Sequence, residues 1–178
     1  GQAPTSERLG GGVAIADFNH NDQGELLVAG IEHEWLANDF HIRIGWDFGA
    51  DRRPSVQWSD IHDLAAKNDF DTDSGGGGGA GGDIDGHGTP DLVLMGVQNK
   101  TGHNEIKYRV GWNLDEDGIP TGGWTRFSTG IEDAAPNAGG GIALADIDGN
   151  TTPAIILTVV SGAAAAILMK LRNKLHAS

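Results

Sequence analysis

Hydrophobic and polar residues along this chain follow the periodicity of β-strands in short segments that turn residues separate. Segment 40–46 has an apolar residue at every second position, which is the periodicity of a half-buried strand. Segments 25–31, 92–97 and 155–160 are almost continuously apolar, which is typical of strands buried on both faces. The pattern therefore predicts an all-β chain of short strands.

The strand pattern recurs along the chain. Residues 17–58 align with residues 83–124 without a gap, and residues 141–146 match residues 12–17. Ten positions of the first alignment are identical: Asp17/Asp83, Leu26/Leu92, Gly30/Gly96, Asn38/Asn104, Arg43/Arg109, Gly45/Gly111, Trp46/Trp112, Asp51/Asp117, Pro54/Pro120 and Trp58/Trp124. Two tryptophan pairs in register argue against coincidence, because the chain has only five tryptophans. We infer a single repeat domain over residues 1–178, with units at 10–66, 75–130 and 138–160.

Four strands in each unit of roughly 60 residues are typical of a propeller blade. We therefore predict a propeller-like array of four-stranded blades, two complete and one partial. Such an array cannot close a ring of about four to eight blades, so its sheet edges should pair with something else. The chain is then a piece of a longer protein, one of several copies that close a ring, or a subunit whose strand completes the next copy's half blade.

Two segments depart from the repeated pattern. Residues 79–82 are Gly-Ala-Gly-Gly where the other units have an apolar strand, so this strand either packs where no side chain fits or is distorted. The wider glycine-rich run, 75–82, also fits a flexible linker. Residues 163–176 place apolar side chains at helical spacing and predict a short C-terminal α-helix within 161–178. A membrane anchor over 154–169 is disfavoured, because a spanning helix needs about 20 apolar residues.

Three acidic loops of one form follow the first strand of each unit, at residues 17–25, 83–91 and 146–154. Loop positions 1 and 3 carry an oxygen-bearing side chain in all three; position 5 is Asn, His or Asn, and position 9 is Glu, Asp or Ala. Calcium binds about six to eight oxygens, and alternate side chains of a tight loop can converge on one ion. The spacing therefore predicts calcium loops; the alternative is ordinary turns whose side chains cap their own backbone.

Composition narrows the class of protein. The 178 residues include 25 acidic and 12 basic residues, a net charge of -13, which repels nucleic acid. Cysteine is absent, which excludes disulfides and thiolate zinc sites. An exported protein without disulfides can be stabilised by calcium, so an extracellular or cell-surface location is predicted. No GxSxG, HExxH or P-loop motif occurs, and an enzyme is not predicted.

The units resemble the FG-GAP/VCBS repeat, the blade repeat of integrin α-subunit β-propellers and related bacterial surface proteins. Residues 12–17, the loop 83–91 and the strand 92–94 carry the resemblance. It implies that a calcium loop joins the first two strands of each blade. The implied ligands are Asp17, Asn19, Asn21 and Glu25 with the Gln23 carbonyl; Asp83, Asp85, His87 and Asp91 with the Thr89 carbonyl; and Asp146, Asp148 and Asn150 with the Thr152 carbonyl.

Two departures from the family's loop pattern affect the expected sites. Ala154 lacks the carboxylate of loop position 9, so the third site should be weaker or empty. His87 offers nitrogen where calcium prefers oxygen.

Together these features predict a non-catalytic, calcium-stabilised extracellular structural module that self-assembles into a homo-oligomer or filament through its incomplete blade. The alternative is a lectin- or adhesin-like propeller module that binds a glycan or a protein. The paired tryptophans are expected in the blade core rather than in a sugar-binding platform. Neither a nucleic-acid partner nor a membrane span is expected.

Overall fold

The computed structural model describes residues 11–19, 21–33, 38–48, 51, 53, 58, 62–64, 77–100, 103–133, 139–161 and 165–171. These residues form strands, turns and loops and contain no helix. The strands are β1 (Gly11–Ala16), β2 (Glu25–His33), β3 (Asn38–Gly45), β4 (His62–Leu64), β5 (Gly77–Gly82), β6 (Asp91–Lys100), β7 (His103–Gly111), β8 (Trp124–Asp133), β9 (Gly139–Ala145), β10 (Ala154–Ser161) and β11 (Ala165–Leu171).

The strands form three antiparallel sheets, in which each strand pairs with its neighbours in sequence. Sheet 1 has the order β1-β2-β3-β4, sheet 2 the order β5-β6-β7-β8, and sheet 3 the order β9-β10-β11. The prediction of an all-β chain is confirmed. Each sheet is a meander of short strands, which is the arrangement that short turn-separated strand segments favour.

The first hairpin of every sheet has the same pairing register. Ala16 pairs with Glu25, Gly82 with Asp91, and Ala145 with Ala154, and each pair closes a loop of eight residues. The second hairpins of sheets 1 and 2 also agree, because Leu26 pairs with Gly45 and Leu92 with Gly111, both shifted by 66 residues. The three acidic loops therefore occupy equivalent places in the three sheets.

The three sheets stack through their first strands, β5 lying between β1 and β9. Phe18, Leu27 and Ile44 of sheet 1 pack with Leu92 and Leu94 of sheet 2 in one core. A second core lies between sheets 2 and 3. Its members are Ile84, Val93, Met95, Val97, Ile106, Tyr108, Val110, Ile155 and Leu157. Of the continuously apolar segments, residues 92–97 of β6 are covered on both faces, as the sequence predicts. In β2 the side chain of Val28 is exposed, so the prediction is wrong for one face of residues 25–31.

The glycines of β5 are required by this stacking. A Cβ on Gly79 would lie 2.7 Å from the Cβ of Ala29, and one on Gly81 would lie 2.6 Å from the ring of Phe18. On the other side of β5, a Cβ on Gly78 would lie 3.6 Å from Ile142 of β9, an ordinary contact, so that face of β5 is less tightly packed. Of the interpretations offered by the sequence, a strand packed where no side chain fits is therefore confirmed at Gly79 and Gly81. A linker is wrong over residues 77–82, which form β5.

The predicted C-terminal helix is wrong over residues 165–171, which form β11 and pair antiparallel with β10. The apolar run of Ile167, Leu168 and Met169 suits either structure, and pairing with the free side of β10 satisfies the backbone of both strands. The rest of the predicted helix lies outside the described residues. Residues 154–161, which include the start of the anchor alternative, form β10. None of the described residues forms a helix of the length and apolar character needed to cross a membrane.

The sequence pattern also predicts a fourth strand of the first unit at residues 55–58, and the structure places β4 later in the chain. Trp58 forms an isolated bridge with Gly45, and β4 lies further on, at His62–Leu64. In sheet 2 the equivalent pair, Gly111 and Trp124, begins the regular pairing of β7 with β8. Residues 54–57, which hold most of the predicted strand, lie outside the described residues.

Candidate metal centre

The three acidic loops lie at one end of the stacked sheets. Each loop connects the first strand of a sheet to the second. Gly12 lies against Gly78 and Gly79, while Phe18 lies against Gly81, so β1 and β5 run in the same direction. Gly78 and Gly82 lie against Ile142 and Leu144 in the same order, so β9 runs with them. Three equivalent loops are therefore brought to the same end.

The first carboxylate of each loop accepts hydrogen bonds from the backbone of loop positions 5 and 6. The bonds to Oδ1 are Asn21 N to Asp17 at 3.1 Å, His87 N to Asp83 at 3.1 Å and Asn150 N to Asp146 at 3.2 Å. The bonds to Oδ2 are Asp22 N to Asp17, Gly88 N to Asp83 and Thr151 N to Asp146, all at 2.9 Å. The capping of the loop backbone by its own side chains, which the sequence offers as the alternative to calcium loops, is thus present in all three loops.

In the third loop these N–H groups favour the charged form of Asp146. In the third loop the backbone N–H of Thr151, followed by those of Gly149 and Asn150, lowers the pKa of Asp146 below its usual value. A carboxylate held ionised in this way also retains lone pairs for an ion, because each oxygen can accept more than one contact.

Loop position 6 has a left-handed backbone in all three loops. Its φ is 62° at Asp22, 85° at Gly88 and 70° at Thr151. Only Gly88 adopts this conformation without strain, and a β-branched residue such as Thr151 rarely does. The loop shape is therefore imposed by the hairpin and its carboxylate cap rather than by the local preference of the residue.

The second loop brings three carboxylates together. Ligand oxygens of Asp83, Asp85 and Asp91 all lie within 4.8 Å of one another. His87, expected as a ligand, has a largely exposed side chain whose Nδ1 lies 2.8 Å from Oδ2 of Asp85. Thr89, whose carbonyl the resemblance assigns to this site, lies half-buried in the same loop. Three of the predicted residues thus form a cluster that could hold a metal ion, and His87 borders it.

Asp91, the ninth residue of the second loop, is a fully buried carboxylate with 0% exposure. Its Oδ2 accepts the N–H of Ile84 and its Oδ1 the N–H of Asn113, both at 2.9 Å. Burial raises the pKa of Asp91 despite these two donors, and the nearby charges of Asp85 and Asp83 raise it further. The site therefore holds a buried negative charge whose neighbours are also negative.

Glu25, the ninth residue of the first loop, is likewise 0% exposed. Its Oε2 accepts the N–H of Phe18 at 2.5 Å, whereas its buried Oε1 has no hydrogen-bond partner among the described residues. Burial raises the pKa of Glu25, and the charges of Asp17 and Asp47 add to the shift. An unpaired oxygen of a buried carboxylate is unfavourable, and a bound cation would satisfy it. The first loop therefore fits a cation.

The other predicted ligands of the first loop shape its backbone. Asn19 Oδ1 accepts the N–H of Asn21 at 3.2 Å, and Asn21 Oδ1 accepts the N–H of Gln23 at 2.9 Å. The third loop repeats the latter contact, because Asn150 Oδ1 accepts the N–H of Thr152 at 2.9 Å. Asp148 of the third loop is exposed.

The third loop differs in its ninth residue. Ala154 offers no oxygen from its side chain at the position that Glu25 and Asp91 occupy. Residues 145–151 are exposed throughout. The third loop thus has the carboxylate cap of the others but no buried acidic group.

Sequence reasoning missed one contributor to the loops, the residue that follows Trp46 or Trp112. Asp47 Oδ1 accepts a hydrogen bond from Asn21 Nδ2 at 2.6 Å, and the N–H of Asn113 binds Asp91. Both residues have a left-handed backbone, with φ of 44° and 53°. They stand 66 residues apart, directly after the aligned tryptophans Trp46 and Trp112. Their equivalent places in the repeat are the sequence feature from which a shared role could have been predicted.

Three of the four paired tryptophans lie against the cores, as predicted. Trp46 and Trp124 pack against the core between sheets 1 and 2, and Trp112 packs against the core between sheets 2 and 3. Trp112 Nε1 donates a hydrogen bond to Thr125 at 2.8 Å. The guanidinium groups of Arg43 and Arg109 lie 5.7 and 5.1 Å from the ring centroids of Trp58 and Trp124. Ring faces engaged in this way give no support to a sugar-binding platform.

Comparisons of the chain with family models, curated proteins and solved structures found no match. The resemblance to the FG-GAP/VCBS repeat therefore stays a prediction. The basis for a function is the geometry of the loops and sheets themselves.

Proposed function

We propose that this chain is a non-catalytic, calcium-stabilised structural module with blade-like sheets that works outside the cell. The observation that carries the proposal is the fully buried carboxylate at the last position of the first two loops. Glu25 and Asp91 are each 0% exposed, carry a pKa raised by burial, and lie near other acidic groups. Buried charges are tolerated when they are paired or coordinate a metal ion.

Calcium suits these loops better than other common metals. Their donors are carboxylate and amide oxygens, which favour calcium, magnesium or manganese over zinc or copper. Calcium accepts irregular geometry and several protein ligands, whereas magnesium demands a near-ideal octahedron and retains its waters. In this interpretation Asp83, Asp85 and Asp91 hold one ion, and Asp17, Asn19 and Glu25 hold another.

The sheets support a propeller-like arrangement. Two four-stranded meanders and one three-stranded meander stack through their first strands, with equivalent loops at one end. Among the described residues β11 forms an outer edge of sheet 3, and an exposed edge can pair with another chain. We therefore propose self-assembly into a homo-oligomer or filament through the incomplete third sheet.

Calcium titration by calorimetry tests the metal. We expect about two strong sites, and a calcium concentration of 100 times Kd should stabilise the fold by about 2.7 kcal/mol for each site. Asp85→Asn should remove one site, whereas Glu116→Gln, which removes one exposed charge in the turn after Leu114, should change nothing. A chain that binds no calcium would refute the proposal. Electron microscopy with and without a chelator tests the assembly.

A further inference from the structure

Inside the molecule, one face of each sheet packs on the opposite face of the next sheet in sequence. The outer face of sheet 1 and the outer face of sheet 3 are the same two kinds of face. We propose that they bind each other between copies: the face of sheet 1 with Val13, Ile15, Leu26 and Val28 docks onto the face of sheet 3 with Ala143, Ala145 and Ile156 of a second copy. This inference rests on the self-assembly in the proposed function and names the surfaces that carry it.

Each sheet has two faces, because successive side chains of a strand point to opposite sides. The forward face of a sheet meets the next sheet in sequence, and the rear face meets the preceding one. In the first strands the forward residues are Ala14 and Ala16 in sheet 1, Ala80 in sheet 2, and Ala143 and Ala145 in sheet 3. The equivalent rear residues are Val13 and Ile15, Gly79 and Gly81, and Ile142 and Leu144.

Both internal interfaces join a forward face to a rear face. Ala14 and Ala16 of sheet 1 pack on the core to which Leu92 and Leu94 of sheet 2 belong. In the next interface Ile142 and Leu144 pack on the core that Val93 and Met95 of sheet 2 share with Ile155 and Leu157 of sheet 3. The same rule therefore holds at both joints.

Two faces lack such a partner among the described residues: the rear face of sheet 1 and the forward face of sheet 3. Val13 and Ile15 are each 67% exposed, and Val28 is 36% exposed. The residues equivalent to Val28 are Leu94 and Leu157, each 1% exposed. The named residues of both open faces are uncharged in a chain whose net charge is -13, and two of them pair with basic residues: Val28 with Arg43 and Ile156 with Lys170. An adjoining group of exposed apolar side chains in such an acidic protein marks an interaction surface.

The two open faces are complementary in shape, because one carries large side chains and the other carries small ones. At the joint of sheets 2 and 3, Gly78 and Gly82 of the forward face lie against Ile142 and Leu144 of the rear face. Val13 and Ile15 opposite Ala143 and Ala145 repeat that combination of large and small residues. If two rear faces met, Val13 and Ile15 of one copy would face the same large residues of the other copy. Neither internal interface packs large residues of two first strands against each other. The contact is therefore head-to-tail, and it builds a ring or a filament.

Complementary variants test this pairing. Ile15→Lys blocks the rear face and Ala143→Lys the forward face, while Ile119→Lys places the same charge at a half-exposed residue of a turn as a control. The oligomeric state is measured by sedimentation velocity in calcium, and calcium binding by calorimetry checks that each variant is folded. Each blocked variant should require more than about tenfold higher concentration to associate, because a lysine would be buried in an apolar contact. An equimolar mixture of the two should form a heterodimer and grow no further.

The other outcomes overturn the pairing in distinguishable ways. If Ala143→Lys alone still dimerises, rear faces bind each other. If both variants assemble like the unaltered chain, the edge of β11 carries the assembly and the proposed function survives. If the unaltered chain binds calcium but stays monomeric, the self-assembly fails and the calcium module remains. If it binds no calcium, the calcium role fails, whatever the faces do.

Discussion

The second and third acidic loops have the same backbone but end in different residues. Asp83 accepts the N–H groups of loop positions 4, 5 and 6 at 2.8, 3.1 and 2.9 Å, and Asp146 accepts the equivalent three at 2.8, 3.2 and 2.9 Å. The second loop ends in the buried Asp91 and the third in Ala154. One capping carboxylate is therefore enough to shape the loop, so a second, buried carboxylate has a separate role.

That separate role is visible in the opposite pKa shifts of the two loops. Backbone N–H groups lower the pKa of the exposed Asp146, whereas burial raises the pKa of Asp91. A protein that needed Asp91 only as a hydrogen-bond acceptor for Ile84 and Asn113 could use an uncharged group there. A charged group in that place is useful if a cation shares the site.

The largest effect is expected from replacing Asp91 by Ala, which gives the second loop the last residue of the third. The N–H groups of Ile84 and Asn113 would lose their acceptor. Since each unsatisfied buried donor costs about 1–3 kcal/mol, the calcium-free protein should lose about 2–6 kcal/mol in urea unfolding for the two donors together. Asp91→Asn keeps one acceptor oxygen and should lose less. Equal losses in the two variants would contradict the role assigned to the hydrogen bonds.

The reverse exchange, Ala154→Asp, should convert the third loop into a calcium site. A carboxylate at position 9 adds charge and up to two oxygens beside Asp146, and we expect the affinity of this loop for calcium to rise by about tenfold or more. Calorimetry would then report about three sites instead of two. Ala154→Asn has nearly the same size without the charge and serves as the matched control. Unchanged stoichiometry would show that the loops differ by more than their last residue.

The folded state alone reveals why Asp91 and Glu25 are buried. The sequence predicts the three loops and their shared spacing, because position 1 and the turn residues act locally. Burial of position 9 depends on the stacking of the sheets, and that stacking in turn depends on a glycine strand that local patterns leave ambiguous. The misplaced C-terminal helix has the same origin: Ile167 and Leu168 fit either structure, and only pairing with β10 decides. Asp47 and Asn113 act on the loops from another hairpin.

The pH dependence of stability should separate the two loops. The pKa of Asp91 is higher in the folded chain than in the unfolded chain, so the folded state binds this proton more tightly. In calcium-free protein the stability due to Asp91 is therefore present below about pH 4 and is lost as pH rises through the raised pKa. Asp146, whose pKa is lowered, has the opposite sign and loses its contribution as pH falls.

Urea unfolding of the unaltered chain and of Asp91→Asn, between pH 4 and pH 7 in a chelator, isolates this contribution as a difference. We expect the stability advantage of Asp91 over Asn to shrink as pH rises. In calcium the trend should reverse, because protons then compete with the ion for Asp91. A difference that does not vary with pH in either buffer would be inconsistent with a buried, titrating carboxylate.

The smallest effect concerns position 6, where the second loop has Gly88 and the third has Thr151. Both backbones are left-handed, with φ of 85° and 70°, which glycine adopts freely and threonine only with strain. Thr151→Gly should stabilise the chain by about 1 kcal/mol or less, since the relieved strain is partly offset by the freedom of glycine in the unfolded chain. The hydroxyl of Thr151 also donates to the Asn150 carbonyl at 2.6 Å, and losing this exposed contact reduces the gain.

The reverse variant, Gly88→Thr, should destabilise the chain by about 1–2 kcal/mol. A Cβ on Gly88 would meet no atom within 4 Å, so the cost comes from the left-handed backbone and not from a steric clash. Thermal unfolding without calcium measures both; changes of the same sign would mean that the two loops differ in backbone strain despite their matching hydrogen bonds.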